Sequence, residues 1–202
     1  MTLPKPARLL IRYGRAEILK SFRADSCIAS TAIGIKVLTR FGIEAWPVPV
    51  AMSAYNRIFL EMLQHTQGHP PSEEEQRAWG RRGAWVVEVD ENHSDDGRFA
   101  GHLAIGVNGY LLDLSLDQAT RPHKALYLEP LATPTPEGFY AGRDEHGHEA
   151  VAHAMCHDAL VVYRYRPSMT KFEASPDWTR PERHEGPART IEQRIRAQLR
   201  KR

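Results

Sequence analysis

Apolar residues recur every three to four positions in several stretches of the chain, which is the spacing of a helix that buries one face. The first stretch, residues 7–20, mixes large aliphatic residues with basic ones and predicts a short amphipathic helix. The second follows Asp25 and Ser26, both good N-cap residues, and runs to Gly42, a residue typical of helix C-caps. The sequence therefore predicts a helix that begins at Cys27.

A β-hairpin is predicted over residues 99–116, where two apolar runs flank Asn108 and Gly109. An Asn-Gly pair between such runs is typical of a type I′ turn. The two-residue loop fixes the register of the two strands. In that register His102 and Asp113 are diagonal neighbours on one side of the pleat, about 7–8 Å apart at the backbone.

The remaining pattern alternates helices and strands, which indicates an α+β order. An edge strand is expected over 44–51, because Pro47 and Pro49 cannot donate to a neighbouring strand. The other predicted elements are a helix over 54–65, a charged helix ending near 82, a strand over 84–90, a polar turn over 92–98, a short strand over 124–129, a Pro-rich loop over 130–138, a helix over 149–157, a closing strand over 160–166 and helical spacing over 190–200.

Cys27, His102 and Asp113 together indicate acyl transfer through a thioester intermediate. The helix dipole and a nearby imidazole hold a thiol as its thiolate, and an acid orients the imidazole. The backbone N–H of Cys27 is available to a developing oxyanion. Asp117 lies on the same side of the hairpin and is the second candidate for the orienting acid. The alternative for Cys27 is a thiol that is buried only for packing, and the alternative for the hairpin is a polar face turned to water.

Residues 25–50 and 99–118 resemble the core of transglutaminase-like proteins, and they are also similar to the matching segments of arylamine N-acetyltransferases. Both families belong to the wider papain-like group. The resemblance implies an α+β papain-like fold, in which the Cys helix packs on an antiparallel sheet that carries His and Asp. It further implies that Cys27 is the nucleophile, His102 the general base and acid, and Asp113 the orienting residue. Many relatives place an aromatic residue beside the Cys or the His, and this chain does not, so the substrate stays open.

The expected function is therefore that of a cysteine-nucleophile hydrolase or acyltransferase that acts on an amide, ester or thioester. A peptide, a protein or a small acyl compound is the expected substrate, and no metal or organic cofactor is needed. Peptide or amide hydrolysis, small-molecule acyl transfer and protein crosslinking are all compatible with the triad. Two other classes stay in view, namely a catalytically silent transglutaminase-like binding module and a nucleic-acid-associated accessory protein that acts through a basic tail.

Composition sets outer bounds on these expectations. A chain of 202 residues with 42% hydrophobic content is expected to form one domain. Its net charge of +2 gives no global attraction for polyanions. No apolar run reaches the length of a membrane span, and the first residues lack the apolar core of a signal peptide. Two distant cysteines do not make a disulfide framework, so a cytoplasmic protein is expected.

The end of the chain differs from the rest, because residues 179–202 carry eight basic residues against three acidic ones. We expect a catalytic domain over residues 1–178 and a basic C-terminal tail or helix over 179–202. Such a tail is most simply a helix packed loosely on its own domain, and it is expected to be dispensable for the chemistry. A basic amphipathic end can also bind nucleic acid.

A histidine-rich segment near residue 150 is the other cluster that can hold chemistry. On the predicted helix, His153 and His157 lie four residues apart and share one face, as metal-binding pairs do. The glutamate that follows the first histidine in zinc-protease helices is missing, so a histidine-rich surface is favoured over a metal site. Cys156 and His157 are adjacent and point apart, which favours a buried structural role for Cys156.

Overall fold

The computed structural model describes residues 2–23, 26–66, 69, 71–90, 99 and 101–201, and these residues form six α-helices and seven β-strands. The polar turn predicted over 92–98 lies outside the described residues. The helices are α1 (Lys5–Ile18), α2 (Cys27–Arg40), α3 (Arg57–Gln64), α4 (Glu73–Arg81), α5 (Pro176–Thr179) and α6 (Glu185–Leu199). The strands are β1 (Trp46–Tyr55), β2 (Val86–Val89), β3 (His102–Val107), β4 (Tyr110–Asp113), β5 (Leu131–Pro134), β6 (Val151–Cys156) and β7 (Ala159–Tyr165).

All seven strands belong to one antiparallel sheet that curls towards a barrel. The strand order is β5-β4-β3-β1-β7-β6, and β2 pairs with the second half of β1. The two ends of this order approach each other, since the Thr133 hydroxyl of β5 donates to the His153 carbonyl of β6 at 2.7 Å. The mixed α+β class expected from the sequence is therefore confirmed, with an antiparallel, nearly closed sheet.

The expectation that the proline-containing strand lies at an edge is wrong, because β1 is the central strand. It pairs with β3 through residues 46–50 and with β7 through residues 50–55. In the described structure, the part of β1 that contains Pro47 and Pro49 has a strand partner, β3, on one side only. A proline is tolerated there because its missing N–H faces the unpaired side.

The predicted hairpin and its register are confirmed. Val107 lies opposite Tyr110 and Ile105 lies opposite Leu112. Asn108 and Gly109 both have positive φ, 47° and 74°, as a type I′ turn requires.

The sheet separates two apolar cores, and strand β3 contributes alternate residues to each. Its Ala104 faces the inside of the curled sheet, and its Ile105 and Val107 face the layer of helices α1, α2 and α6. Helix α2 approaches β3 closely through Gly34, where an added Cβ would lie 2.4 Å from the Ile105 side chain. A larger residue at this position would force the middle of α2 or the Ile105 side chain to shift.

The expectation that the basic C-terminal segment packs loosely is corrected by the position of α6. Ala188, Ile191 and Ile195 are fully buried against α1 and α2 in the outer core. Arg40 of α2 also forms ion pairs with Glu185 and Glu192 of α6. The three buried residues follow helical spacing, so the sequence shows the apolar stripe. It does not show the groove between α1 and α2 in which the stripe is buried.

Three other elements differ from the sequence predictions, and in the first two strand pairing overrides local preference. The segment predicted as a helix over 149–157 contains strand β6, which turns into β7 through His157 at a φ of 54°. The Pro-rich loop over 130–138 contains strand β5, which pairs with β4. The strand predicted over 124–129 is absent from the described structure, which has a 3₁₀ turn at Pro122–Lys124 instead.

The helix predicted over 54–65 begins later, at Arg57. Asn56 is its N-cap and accepts a hydrogen bond from the Phe59 N–H at 3.0 Å. The other helices and strands lie close to their predicted positions. No helix among the described residues is long and apolar enough to cross a membrane.

Candidate active site

Helix α2 begins at Cys27 and presents this thiol at the rim of the curled sheet. Ser26 is the N-cap, but its hydroxyl donates to the Arg23 carbonyl at 2.6 Å and does not cap the helix. One turn later, the Thr31 hydroxyl donates to the Leu103 carbonyl of β3 at 2.9 Å. That bond fixes the first turn of α2 beside the start of β3, the strand that carries His102.

His102 and Asp113 lie in direct contact on the inner face of the sheet. The His102 Nε2–H donates to Asp113 Oδ2 at 2.7 Å, and both side chains are fully buried. Asp117, the second candidate for the orienting acid, lies instead 2.7 Å from the Arg15 guanidinium of α1. The structure therefore brings His102 together with Asp113 and places Asp117 in a separate ion pair.

The Asp113 carboxylate is held by two further residues, Tyr163 and Ser115, that the sequence did not identify. Its Oδ2 accepts the Tyr163 hydroxyl of β7 at 3.0 Å, and its Oδ1 accepts the Ser115 N–H at 3.0 Å. Burial alone would raise the pKa of Asp113, but the His102 charge and these hydrogen bonds outweigh it and lower the pKa. The carboxylate is therefore ionised and rigid, as an orienting acid must be.

The protonated form of His102 is strongly favoured. Burial would lower the pKa of His102, but the charge of Asp113 and its hydrogen bond oppose burial, and interaction with the Cys27 side chain adds to them. Together they raise the pKa of His102 to about 10. Cys27 thus lies close enough to the imidazole to act on its charge.

The surroundings of the Cys27 thiol are apolar. Cys27 packs with Leu103 and Phe172, and Phe172 makes edge contacts with the Phe99 ring at 5.7 Å and the Trp178 ring at 5.1 Å. The thiol is only 7% exposed. Charges in a water-poor site of this kind interact more strongly than they do in water.

Gln118 is a further site residue that sequence reasoning missed. Its amide Nε2 lies 2.7 Å from His102 Nδ1, on the opposite side of the ring from Asp113. The residue lies in a 3₁₀ helix, Leu116–Ala119, directly after β4. The sequence gives one indication of this role, which is that Gln118 lies five residues after Asp113. Periodicity does not predict the direction of a side chain in a 3₁₀ turn.

The second cysteine lies in a different environment, at the end of β6. Cys156 Sγ accepts the Glu129 N–H at 3.4 Å, and burial is the main cause that raises the pKa of this thiol. His153 and His157 lie on a strand and in a turn, so the helical spacing on which a shared metal site depended is not there. Within the described ranges, no group of three or more His, Cys, Asp or Glu side chains is arranged to hold a metal ion.

Comparison with known proteins gives a fold neighbour and no family. No family model matches the chain, and no curated protein matches it. One similar solved structure is the crystal structure of genomics APC5867, with a TM-score of 0.51 and 13% sequence identity. The match covers 95% of this chain and 79% of that chain. At this identity the similarity concerns the fold alone.

Proposed function

We propose that this chain is a thiol-dependent acyl-transfer enzyme with a papain-like, transglutaminase-like arrangement of Cys27, His102 and Asp113. The observation that carries the proposal is the buried His102–Asp113 pair with a helix-start thiol acting on the same imidazole. An ion pair that served only stability would not require a thiol beside the same imidazole. Buried ion pairs are also seldom more stabilising than apolar packing.

In the proposed cycle, His102 holds the proton of Cys27 as an imidazolium, and Asp113 keeps the ring oriented. The thiolate attacks the carbonyl carbon of an amide, ester or thioester, so that a C–S bond forms and the carbonyl electron pair moves to oxygen. The oxyanion then collapses, the bond to the leaving group breaks, and His102 protonates that group. Water or an amine attacks the resulting thioester with its proton passing to His102, and the Cys27 thiolate is released.

The start of α2 supports this chemistry on the electrophilic side. The Cys27 N–H belongs to the first turn, where backbone N–H groups have no partner within the helix. The Ser26 hydroxyl is engaged with the Arg23 carbonyl and does not cap this turn. The N–H of Cys27 is therefore directed to a position where it can donate to the oxyanion of a carbonyl bound to its own sulfur.

The test is to trap the acyl group on the protein. The full chain is incubated with p-nitrophenyl acetate or an acetyl thioester, and intact-mass and peptide-mapping spectra are recorded. One acetyl group on Cys27 is expected, with none on the Cys27→Ser variant. Cys156→Ser is the matched control and should be acetylated like the wild type. A folded wild-type protein that acquires no acyl group on Cys27 from activated esters or thioesters would contradict the proposal and favour a silent binding module.

A further inference from the structure

His102 has only one ring nitrogen left for Cys27. Its Nε2 is bonded to Asp113 at 2.7 Å, so any proton that passes between His102 and Cys27 must use Nδ1. A ring nitrogen carries either one N–H or one lone pair in the ring plane, and so it makes one strong hydrogen bond at a time. That nitrogen lies 2.7 Å from the Gln118 amide. Gln118 and Cys27 therefore compete for a single position.

The backbone of Gln118 is fixed, so the contact with His102 does not result from a loose loop. The Gln118 N–H donates to the Ser115 carbonyl at 3.0 Å, and the Gln118 carbonyl accepts from Arg121 Nη1 at 2.9 Å. The preceding Asp117 is bound by Arg15 of α1, which also bonds the Ser30 hydroxyl of α2 at 3.2 Å. Only the side chain of Gln118 is thus left to change its direction.

An amide suits this position because it satisfies either form of the ring. Its N–H donates to Nδ1 of a neutral imidazole, and after a half-turn its oxygen accepts from Nδ1–H of an imidazolium. In both orientations the amide engages the nitrogen that Cys27 needs. The same N–H group is a good donor to an oxyanion, and it lies beside the imidazole on which the thiol acts.

We propose that Gln118 occupies Nδ1 of His102 while no substrate is bound and moves to the substrate carbonyl oxygen when an acyl group binds at Cys27. This inference rests on the proposed acyl-transfer function and adds a switch to it. In the free protein, Gln118 weakens the exchange between Cys27 and His102. When a carbonyl enters, the Gln118 amide turns away from the Nδ1–H of the imidazolium, and its N–H donates to the carbonyl oxygen. Nδ1–H is then free to bond the Cys27 thiolate and later to protonate the leaving group, while Gln118 and the Cys27 N–H bind the oxyanion together.

Two reactions of the same thiol separate this proposal from a simple supporting role. Alkylation of Cys27 by iodoacetamide forms no oxyanion, whereas acylation by p-nitrophenyl acetate does. In Gln118→Met, which keeps the side-chain length and loses the hydrogen bonds, alkylation should become about three- to tenfold faster, the factor that one hydrogen bond is worth. Acylation by the ester should become about 10²-fold slower, as for the loss of one oxyanion donor.

The controls use a remote glutamine and a second variant at the site. Gln76→Met changes an exposed residue of α4 and should leave both rates unchanged. Gln118→Asn keeps an amide that is too short to reach Nδ1, and it should behave like Gln118→Met. Thermal unfolding of each variant verifies that it is folded, so that the rates are compared between native proteins.

Each pattern of rates gives a definite answer. Faster alkylation together with slower acylation supports the switch. Equal losses in both rates would show that Gln118 only positions His102, and unchanged alkylation would show that it does not compete for Nδ1; either result overturns the proposal. Faster alkylation with unchanged acylation would overturn the oxyanion part and with it the switch. If the wild-type protein is not acylated at all, the proposed function fails, and the alkylation rates still test the hold of Gln118 on Nδ1.

Discussion

The two cysteines of this chain are both buried, and they differ in what surrounds the sulfur. Cys27 lies in the first turn of α2 and acts on the charge of His102, whose imidazole is in turn bonded to Asp113. Cys156 lies at the end of β6, where its sulfur contacts the backbone of Glu129 and burial raises its pKa. Exposure therefore does not distinguish Cys27, the proposed nucleophile, from Cys156. The two thiols differ in the charged groups that act on them.

The His102 imidazole belongs to a cluster of buried polar groups. His102, Asp113 and Ser115 are fully buried. Tyr163 of β7 joins them through its hydrogen bond to Asp113. Burying such groups is costly unless each finds a partner. In this protein they are bonded to one another, so the cost of burying them is offset.

The largest expected effect comes from removing the charge that orients His102. Asp113→Asn should lower the rate of Cys27 acylation by about 10⁴-fold, as for other orienting carboxylates, with the protein still folded. Asp117→Asn is the matched comparison, because Asp117 bonds Arg15 and not His102, and it should cost less than about tenfold. Acylation rates with p-nitrophenyl acetate measure both. If the two variants ranked in the opposite order, the orienting role of Asp113 would be wrong.

A second large effect is expected on stability, and it tests whether the folded protein depends on the packing of α6. Ile195→Ala should lower the free energy of unfolding by about 2–5 kcal/mol, the usual cost of a large-to-small change in a core, because Ile195 is fully buried against α1 and α2. Gln193→Ala, an exposed position on the same helix, is the control and should cost less than about 1 kcal/mol. Urea unfolding measures both. Equal stability of the two variants would restore the idea of a dispensable tail.

The sequence predicted the local parts of the site and left out the contacts between distant segments. The Asn-Gly turn sets the register that brings His102 to Asp113, and the helical spacing of apolar residues after Cys27 predicts α2, although the Ser26 hydroxyl does not cap it. Tyr163 and Gln118 were missed for different reasons. Tyr163 reaches Asp113 only because β7 lies next to β1 in the sheet order, and Gln118 reaches His102 only through the direction of one turn after β4.

The same limit explains the errors in the fold. β6 was predicted as a helix because residues 149–157 have no strong alternation, and its partner β7 decides its structure. β1 was placed at an edge because of its prolines, although only half of that strand lacks a second partner. α6 was treated as a tail because of its basic charge and its weak apolar stripe. For β1 and α6 the deciding contacts come from elements far away in the sequence, whereas for β6 they come from the next strand, β7.

A moderate effect is expected on the pH dependence of stability. The folded pKa of His102, about 10, lies above its ordinary value of 6.5, so the stabilisation by the charged ring is complete below about pH 6.5 and is lost as the pH rises towards 10. The melting temperature of the wild-type protein should therefore fall between pH 7 and 10. The fall should be smaller in His102→Gln, which has no group to titrate. Parallel curves for the two proteins would contradict the raised pKa.

The smallest expected effect is at the second thiol. Cys156→Ala removes a buried sulfur and its contact with Glu129, and it should lower the free energy of unfolding by about 1–2 kcal/mol with no change in the acylation rate of the folded protein. Thermal unfolding and the ester assay measure the two quantities. A loss of acylation of more than about tenfold in Cys156→Ala would mean that the two thiols are not separate in function.

Competitive alkylation of the two cysteines tests the central claim most directly. The full chain is treated with a limiting dose of iodoacetamide near pH 6.5, and the label is mapped by peptide mass spectrometry. The positive charge of the His102 imidazolium lies beside Cys27, whereas burial raises the pKa of the Cys156 thiol. The label should therefore appear first on Cys27, and it should appear there more slowly in His102→Gln. Preferential labelling of Cys156 in the wild-type protein would contradict the assignment of Cys27 as the nucleophile.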